Sequence, residues 1–366
     1  MKTEEEAEKI KKLCDEIGKF VIPEKYGEFI RICVEFAAVN TKEEIERLKS
    51  VLEEIQNGSE KSLENIHDSP VINLKEIELL KSVLPESFYI TNNKLSNKIT
   101  KDFVNKGQIE LAVIKPKKKG EVITYNSIAY DNKNINISGQ NEFTAYDRAI
   151  HNAVCSLYVA GNDVLTPAMV YRTVNGMSDN EKVSPKSMGA VKNSLDKSRF
   201  LRVKINFTEE AKARNINIDN TEIDSYLLPA ELVTVKSGGK TVEAYKILKL
   251  PVLYEYASYT KQILSVPLGL LDTKEATRNT KDIIPIKEYL VRRIEIMKHV
   301  KTMGNRILYS TIFQEAGITI TNKKQRNRLR SYITAILNLW KKRDKYIIDF
   351  KEYKEGNAFK GIEILY

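Results

Sequence analysis

The chain has 366 residues, 42% of them hydrophobic and 30% charged, a composition that excludes a disordered chain and leaves room for two or three domains with their own cores. No apolar run approaches the ~18 residues of a membrane span. The acidic start Met1-Lys2-Thr3-Glu4-Glu5-Glu6 lacks a signal core, and Cys14, Cys33 and Cys155 are too few and too scattered for a disulfide framework or a zinc site, so a cytoplasmic protein is expected. The net charge of +10 is unevenly spread: residues 1–100 carry 15 Lys and Arg against 20 Asp and Glu (−5), and the remainder 44 against 29 (+15). An acidic front before a basic body points to a nucleic-acid surface behind a domain of different purpose.

Residues 3–57 read as three helices. Ala7, Ile10, Leu13, Ile17 and Phe20 share one face before Pro23, and Tyr26, Phe29, Ile30, Cys33, Phe36 and Ala37 share another. Thr41 and Glu44 form a capping box for a third, ended by Asn57-Gly58. A small antiparallel bundle is the plain reading, and an oligomerisation or partner-binding module the sharper one. Ser59 to Pro70 is polar and reads as a linker. Asn73 and Glu76 then suggest a capping box for a short helix carrying Ile77, Leu80 and Leu84, and Thr91 to Val104 reads as a further helix.

Ile109–Ile114 and Val122–Tyr130 read as strands joined by Lys115-Pro116-Lys117-Lys118-Lys119-Gly120, whose lysines either solubilise a hairpin tip or meet phosphates. Thr144 can cap a helix bearing Tyr146, Ile150, Val154, Leu157 and Tyr158. Thr166-Pro167 opens a short helix stopped at Gly176. Ser184-Pro185 opens a third, with Met188, Val191 and Leu195 inward and Lys186, Lys192 and Lys197 outward. Phe200–Phe207 is a strand. Tyr226–Val235 and Val242–Leu248 form a hairpin around Lys236-Ser237-Gly238-Gly239-Lys240, with 208–224 and 251–282 read as insertions or linkers.

The C-terminal stretch repeats this order without sequence identity. A helix begins near Pro285 with Tyr289, Leu290, Ile294 and Met297 on one face, and Arg306–Tyr309 is a brief strand. Ser310 can cap a short helix ended by Gly317, and Thr321 a long one whose stripe is Leu329, Ile333, Ile336, Leu337 and Trp340. Two strands follow around Lys354-Glu355-Gly356-Asn357. Helix, strand, helix, helix and hairpin is the order of a winged helix-turn-helix, in which the second helix of the turn enters the major groove and the hairpin touches the backbone. Residues 283–366 hold 18 Lys and Arg against 8 Asp and Glu, or +10. Lys323, Lys324, Arg326, Asn327, Arg328 and Arg330 lie at the start of the long helix, off or beside its stripe, and Lys354 and Lys360 flank the hairpin tip. Arg and Asn can bond base edges in pairs while Lys holds phosphate. In the first run Lys186, Lys192, Lys197, Lys236 and Lys240 take the same positions.

Enzymatic chemistry finds little purchase. Ser237-Gly238-Gly239-Lys240-Thr241 resembles the end of a phosphate loop, but its first glycine is missing and a strand, not a helix, should follow. His67, His151 and His299 lie far apart, no serine or cysteine nucleophile motif is present, and none of the 18 tyrosines stands in a catalytic constellation. Neither catalysis, a cofactor nor a metal is expected.

The segment Phe143-Thr144-Ala145-Tyr146-Asp147-Arg148-Ala149-Ile150-His151-Asn152-Ala153-Val154-Cys155-Ser156-Leu157-Tyr158 is similar to the first helix of tandem winged-helix replication initiators from plasmids and mobile elements of low-GC Gram-positive bacteria; Thr166–Tyr171 and Leu227–Ala230 are the next best matches. The resemblance covers about residues 108–366 in layout. It implies binding of duplex DNA at origin repeats, melting of nearby duplex, recruitment of host replication proteins, self-repressing dimers, and association with plasmid or nucleoid. A transcriptional repressor or partition regulator of the same fold, or a protein-interaction scaffold, are the alternatives. The expected architecture is α+β: a helical N-terminal domain with linker (1–100), then two tandem winged helix-turn-helix domains, 101–270 with its preceding β-hairpin and 283–366.

Overall fold

The computed structural model describes residues 76–78, 83–102, 108–114, 122–130, 143–237, 240–300 and 302–366. All of them fall in one of the chain's two compact units, residues 76–131 with 141–366. The three helices expected over 3–57, the linker 59–70 and the lysine turn 115–120 lie outside the described residues.

The fold is mixed α+β. It opens with β1 (Glu76–Glu78), β2 (Ser87–Thr91), α1 (Lys94–Asp102), β3 (Gln108–Ile114) and β4 (Val122–Tyr130). A first run follows: α2 (Ala145–Val159), β5 (Val164–Leu165), α3 (Pro167–Val174) and α4 (Pro185–Phe200). An excursion through β6 (Leu201–Asn206), α5 (Thr208–Arg214) and β7 (Glu222–Tyr226) leads to the hairpin β8 (Ala230–Ser237) and β9 (Lys240–Ile247). Then come α6 (Val252–Tyr259), β10 (Ile263–Pro267) and a 3-10 turn, Leu268–Leu271. A second run closes the chain: α7 (Ile283–His299), β11 (Arg306–Leu308), α8 (Tyr309–Glu315), α9 (Lys323–Lys342), β12 (Asp349–Glu355) and β13 (Ala358–Leu365).

The two runs share a topology as well as an order. In each, the short strand between the first two helices pairs antiparallel with the second strand of the hairpin: β5 with β9 (Leu165 opposite Tyr245) and β11 with β13 (Ile307 opposite Ile362). The runs differ in their additions. β1 extends the first hairpin by pairing parallel with β8, and β6 and β7 join β3 and β4 in a separate four-stranded sheet of order β3-β4-β6-β7.

Local chemistry accounts for the helix starts. Asp147 N–H donates to Thr144 Oγ1 (3.2 Å) while Thr144 N–H donates to Asp147 Oδ2 (2.9 Å), a complete capping box for α2. Thr166 and Ser184 cap α3 and α4, each followed by proline at the first helical position. Two expected caps move. Asn322, not Thr321, caps α9 by accepting from Gln325 N–H (2.8 Å), and Gln325 Oε1 reaches back to Thr321 N–H (2.8 Å). α8 starts at Tyr309 with no side-chain cap, so Ser310 is already inside the helix.

The expected helix around Ile77 is also overturned, because Glu76–Glu78 satisfies its backbone along β8 instead. The stretches 208–224 and 251–282 are structured, not linkers. Ala211, Ile223, Val252, Leu253 and Tyr256 join Leu95, Ile99, Phe143, Val203, Ile205 and Phe207 in a core of their own. Tyr226 ends β7 and is not part of the hairpin that begins at Ala230.

A larger core runs through both helix runs, from Ile150, Val154 and Val170 to Leu290, Ile294, Ile333 and Trp340. At its centre α2 is buried on every side from Ala145 to Leu157, as a helix enclosed by other elements must be. Charges on its line of contact with α7 are therefore paired internally. Arg148, wholly buried, donates to Glu288 Oε2 at 2.6 Å and to Asn97 Oδ1 at 3.3 Å, and Arg292 donates to the same Asn97 oxygen at 2.7 Å. Burial pulls the Arg148 pKa down, and Glu288 opposes that shift.

His151, the next polar residue of α2, is 2% exposed, and neither ring nitrogen has a hydrogen-bond partner among the described residues. Desolvation lowers its pKa from 6.5 to about 4. The unfolded chain thus binds the extra proton between those values, so the stability His151 contributes is complete above pH 6.5 and is lost as pH falls toward 4. At about 1.4 kcal/mol per pH unit the loss is roughly 3 kcal/mol. Urea denaturation at pH 7, 5.5 and 4 is expected to show this fall in the wild type and a flatter profile in His151→Leu; parallel profiles would place a solvated imidazole here.

Candidate nucleic-acid interface

α9 divides along its length. Its buried residues are Leu329, Ile333, Ile336, Leu337 and Trp340, the stripe expected from the sequence, and none of them lies among its first six residues. The helix carries seven Lys and Arg and no Asp or Glu. Lys323, Lys324, Arg326, Asn327 and Arg328 are exposed, and their side chains have no ion pair or hydrogen bond among the described residues. Four unpaired cations thus surround a helix N-terminus, whose free N–H groups and dipole add to the positive field.

The far end of the helix holds it in place. Trp340 is wholly buried and its indole N–H donates to Leu270 O at 3.0 Å. Arg343 donates to Asp272 O at 2.7 Å and to Gly269 O at 3.3 Å. The 3-10 turn that receives these bonds also packs on Gly176 at the end of α3 (φ +63°), where an added Cβ would lie 2.5 Å from Asp272 N. Lys287 of α7, fully buried, gives its three protons to Leu271 O (2.8 Å), Asn279 Oδ1 (2.8 Å) and Asn175 Oδ1 (3.2 Å), and desolvation brings its pKa down to about 7.

Beside the start of α9 stands the β12–β13 hairpin. The strands run further than the sequence suggested, to Glu355 and from Ala358, leaving Gly356-Asn357 as a two-residue turn with Gly356 at φ +58°. Lys354 therefore sits in a strand opposite Phe359, and a register shift leaves Lys360 without a residue across from it. A groove of about 700 Å³ lies between α8, the following turn, the start of α9 and the hairpin, lined in part by Tyr309, Arg326, Phe359 and Lys360.

Not every expected contact residue is a free cation. Arg330 lies 3.4 Å from Glu352 and 3.8 Å from the Phe359 ring centre, and Lys360 pairs with Glu355 at 2.6 Å. Lys354 rests over Phe359 at 4.6 Å. In the first run, Lys192 is ion-paired with Glu243 of β9, and Lys197, largely buried, bonds Asp147 of the α2 capping box at 3.1 Å. Lys186 is exposed at the start of α4 beside a cavity of about 420 Å³ that also includes Tyr146 and Lys281. Lys236 is exposed on β8 with Glu78 and Thr241 as its ladder neighbours, and Lys240 begins β9 with its side chain outside the described residues. The strand running on from Lys240-Thr241 is incompatible with a phosphate loop.

The two runs therefore differ electrically: α4 carries four Lys and Arg with Asp196, three of them in ion pairs, while Lys323, Lys324, Arg326 and Arg328 of α9 have no ion pair among the described residues. Tyr309, Glu352 and Phe359 escaped the sequence reading, although Phe359 beside a polar turn was the available signal. Among the described residues no three His, Cys, Asp or Glu gather as a metal site, and no helix is long and apolar enough to cross a membrane.

No protein-family model and no curated protein matches the sequence. Among solved structures, two crystal structures of domains 2 and 3 of RctB are similar. One, of selenomethionine derivatives, is 10% identical with a TM-score of 0.35, over 74% of this chain and 96% of that one. The other is 12% identical with a TM-score of 0.37, over 74% and 95%.

Gly361 joins β11 to the hairpin. An added Cβ would meet Ile307 O at 2.2 Å and the Tyr353 hydroxyl at 2.8 Å. Gly361→Ala is expected to cost about 1–3 kcal/mol through overpacking and to lower the thermal midpoint by several degrees; an unchanged midpoint would mean that β11 and β13 separate freely.

Proposed function

We propose that the chain is a non-enzymatic, sequence-specific binder of double-stranded DNA, and that its two helix–strand–helix–helix–hairpin runs are winged helix-turn-helix domains, within residues 101–270 and 283–366. One observation carries this reading: the first six residues of α9 hold no buried residue and four cations that are unpaired among the described residues, next to a hairpin that presents Lys354. A helix ~10–12 Å across fits a major groove ~12 Å wide. In that groove Arg326, Arg328 and Asn327 would face base edges, Lys323 and Lys324 the phosphates, and Lys354 the backbone beyond. The first run contributes less charge through Lys186 and Lys236.

The finer role, a plasmid or mobile-element replication initiator that binds origin repeats and recruits host replication proteins, rests on the likeness of Phe143–Tyr158 to the first helix of such proteins. Residues 1–100 would then serve interaction or oligomerisation, including homodimers.

Fluorescence anisotropy with duplexes from the chain's own locus is expected to give a log–log salt slope of about −5 to −9. Replacing Arg326 and Arg328 together with Glu should weaken binding by roughly 100-fold or more and relax the base preference. Undiminished affinity would remove α9 from the interface, and flat anisotropy of the wild type on every duplex would favour a protein-interaction scaffold. Deleting the gene from a minimal replicon separates initiator from regulator, since replication continues without a regulator.

A further inference from the structure

Arg330 stands one helical turn beyond Arg326 on a helix whose other front-half cations are unpaired among the described residues, yet it points to the hairpin. Its guanidinium lies 3.8 Å from the centre of the Phe359 ring and 3.4 Å from Glu352. The same Glu352 oxygen accepts the Tyr309 hydroxyl proton at 2.5 Å, and Tyr309, 4% exposed, is the first residue of α8. Burial first, and then Glu352, push the Tyr309 pKa well above its ordinary value. Four elements thus converge: α8 through Tyr309, α9 through Arg330, β12 through Glu352 and β13 through Phe359.

A carboxylate on a surface that meets a polyanion is unfavourable unless it does something else. Here the acid is shielded by one cation and one hydroxyl, and the ring beneath carries a second cation, Lys354 of the hairpin, at 4.6 Å. Lys354 faces Phe359 where the ladder shifts register, so the direction of the hairpin tip is set at this point.

We propose that Arg330 is a positioning residue and not a reader of bases: with Glu352, Tyr309 and Phe359 it latches the hairpin to α9, so that Lys354 and the cations at the front of the helix meet one duplex at a fixed spacing. The proposal rests on the DNA-binding reading for its consequence, but the latch itself can be tested without DNA. Amide hydrogen–deuterium exchange of the full chain should quicken about 10-fold across residues 351–362 in Glu352→Gln, Phe359→Leu and Arg330→Met. The first two leave every cation in place, and Glu352→Gln also conserves size.

On duplex DNA all three variants should lose about 10-fold in affinity and about 1 in salt slope, with the base-pair preference unaltered. Unchanged exchange in the free variants would overturn the latch whatever the DNA result. A loss confined to Arg330→Met with preference relaxed at one base pair would make Arg330 a reader. Tighter binding by Glu352→Gln would mean that the carboxylate merely repels DNA. Failure of the wild type to bind any duplex would sink the DNA reading alone, and the exchange data would still decide the latch.

Discussion

Backbone carbonyls at the end of a single 3-10 turn have no partner within the turn and must find donors elsewhere. Around Leu268–Leu271 distant side chains supply donors: the Trp340 indole to Leu270 and the Lys287 ammonium to Leu271, while the Arg343 guanidinium adds a bond to Gly269, which also accepts from Asp272 N–H, and one to Asp272. The turn also lies against Gly176, which closes α3 of the first run. One short piece of main chain is therefore clasped by both halves. Remove the Trp340 or the Lys287 donor and the Leu270 or Leu271 carbonyl is left buried without it, at a cost of about 1–3 kcal/mol each.

The buried charges between α2 and α7 work in the same sense. Arg148 is wholly enclosed, and among the described residues only Glu288 and Asn97 hydrogen-bond its guanidinium. An ion pair in that setting contributes little net stability, but a displaced one costs about 3–5 kcal/mol, so it fixes where α7 lies along α2. The placement of α9 follows in turn, because its C-terminal half packs into the core that α7 completes. The helix can then leave its first six residues in solvent without fraying away from the body, and Asn322 with Gln325 closes the exposed end.

Much of this was legible in the sequence because it depends on neighbours along the chain. The α9 stripe, the caps at Thr144, Thr166 and Ser184, and the two hairpins all arise from periodicity or from residues three apart. What escaped depends on contacts between remote positions. Glu243 lies 51 residues from the Lys192 it neutralises, and Asp147 lies 50 from Lys197, so both lysines read as free when taken alone. Glu76 looked like half of a capping box until β8, more than a hundred residues later, offered it a ladder. Arg148, Lys287 and Glu288 have the side chains of surface residues, and nothing in their local pattern marks them as buried. The stretch 251–282 resembled a linker because its apolar residues are shared between two cores and never complete one helical face.

Trp340 is the single tryptophan of the whole chain, and the structure puts its ring at the clasp, hydrogen-bonded to Leu270 and edge-on to Tyr346 with ring centres 5.6 Å apart. Light that excites indole but not phenol therefore addresses one location, where the helix bearing the cations is fastened to the turn shared by both halves. The chain carries a built-in optical gauge of its own joint: a blue emission reports that α9 is seated, and a red shift without loss of helix content reports that it has come loose.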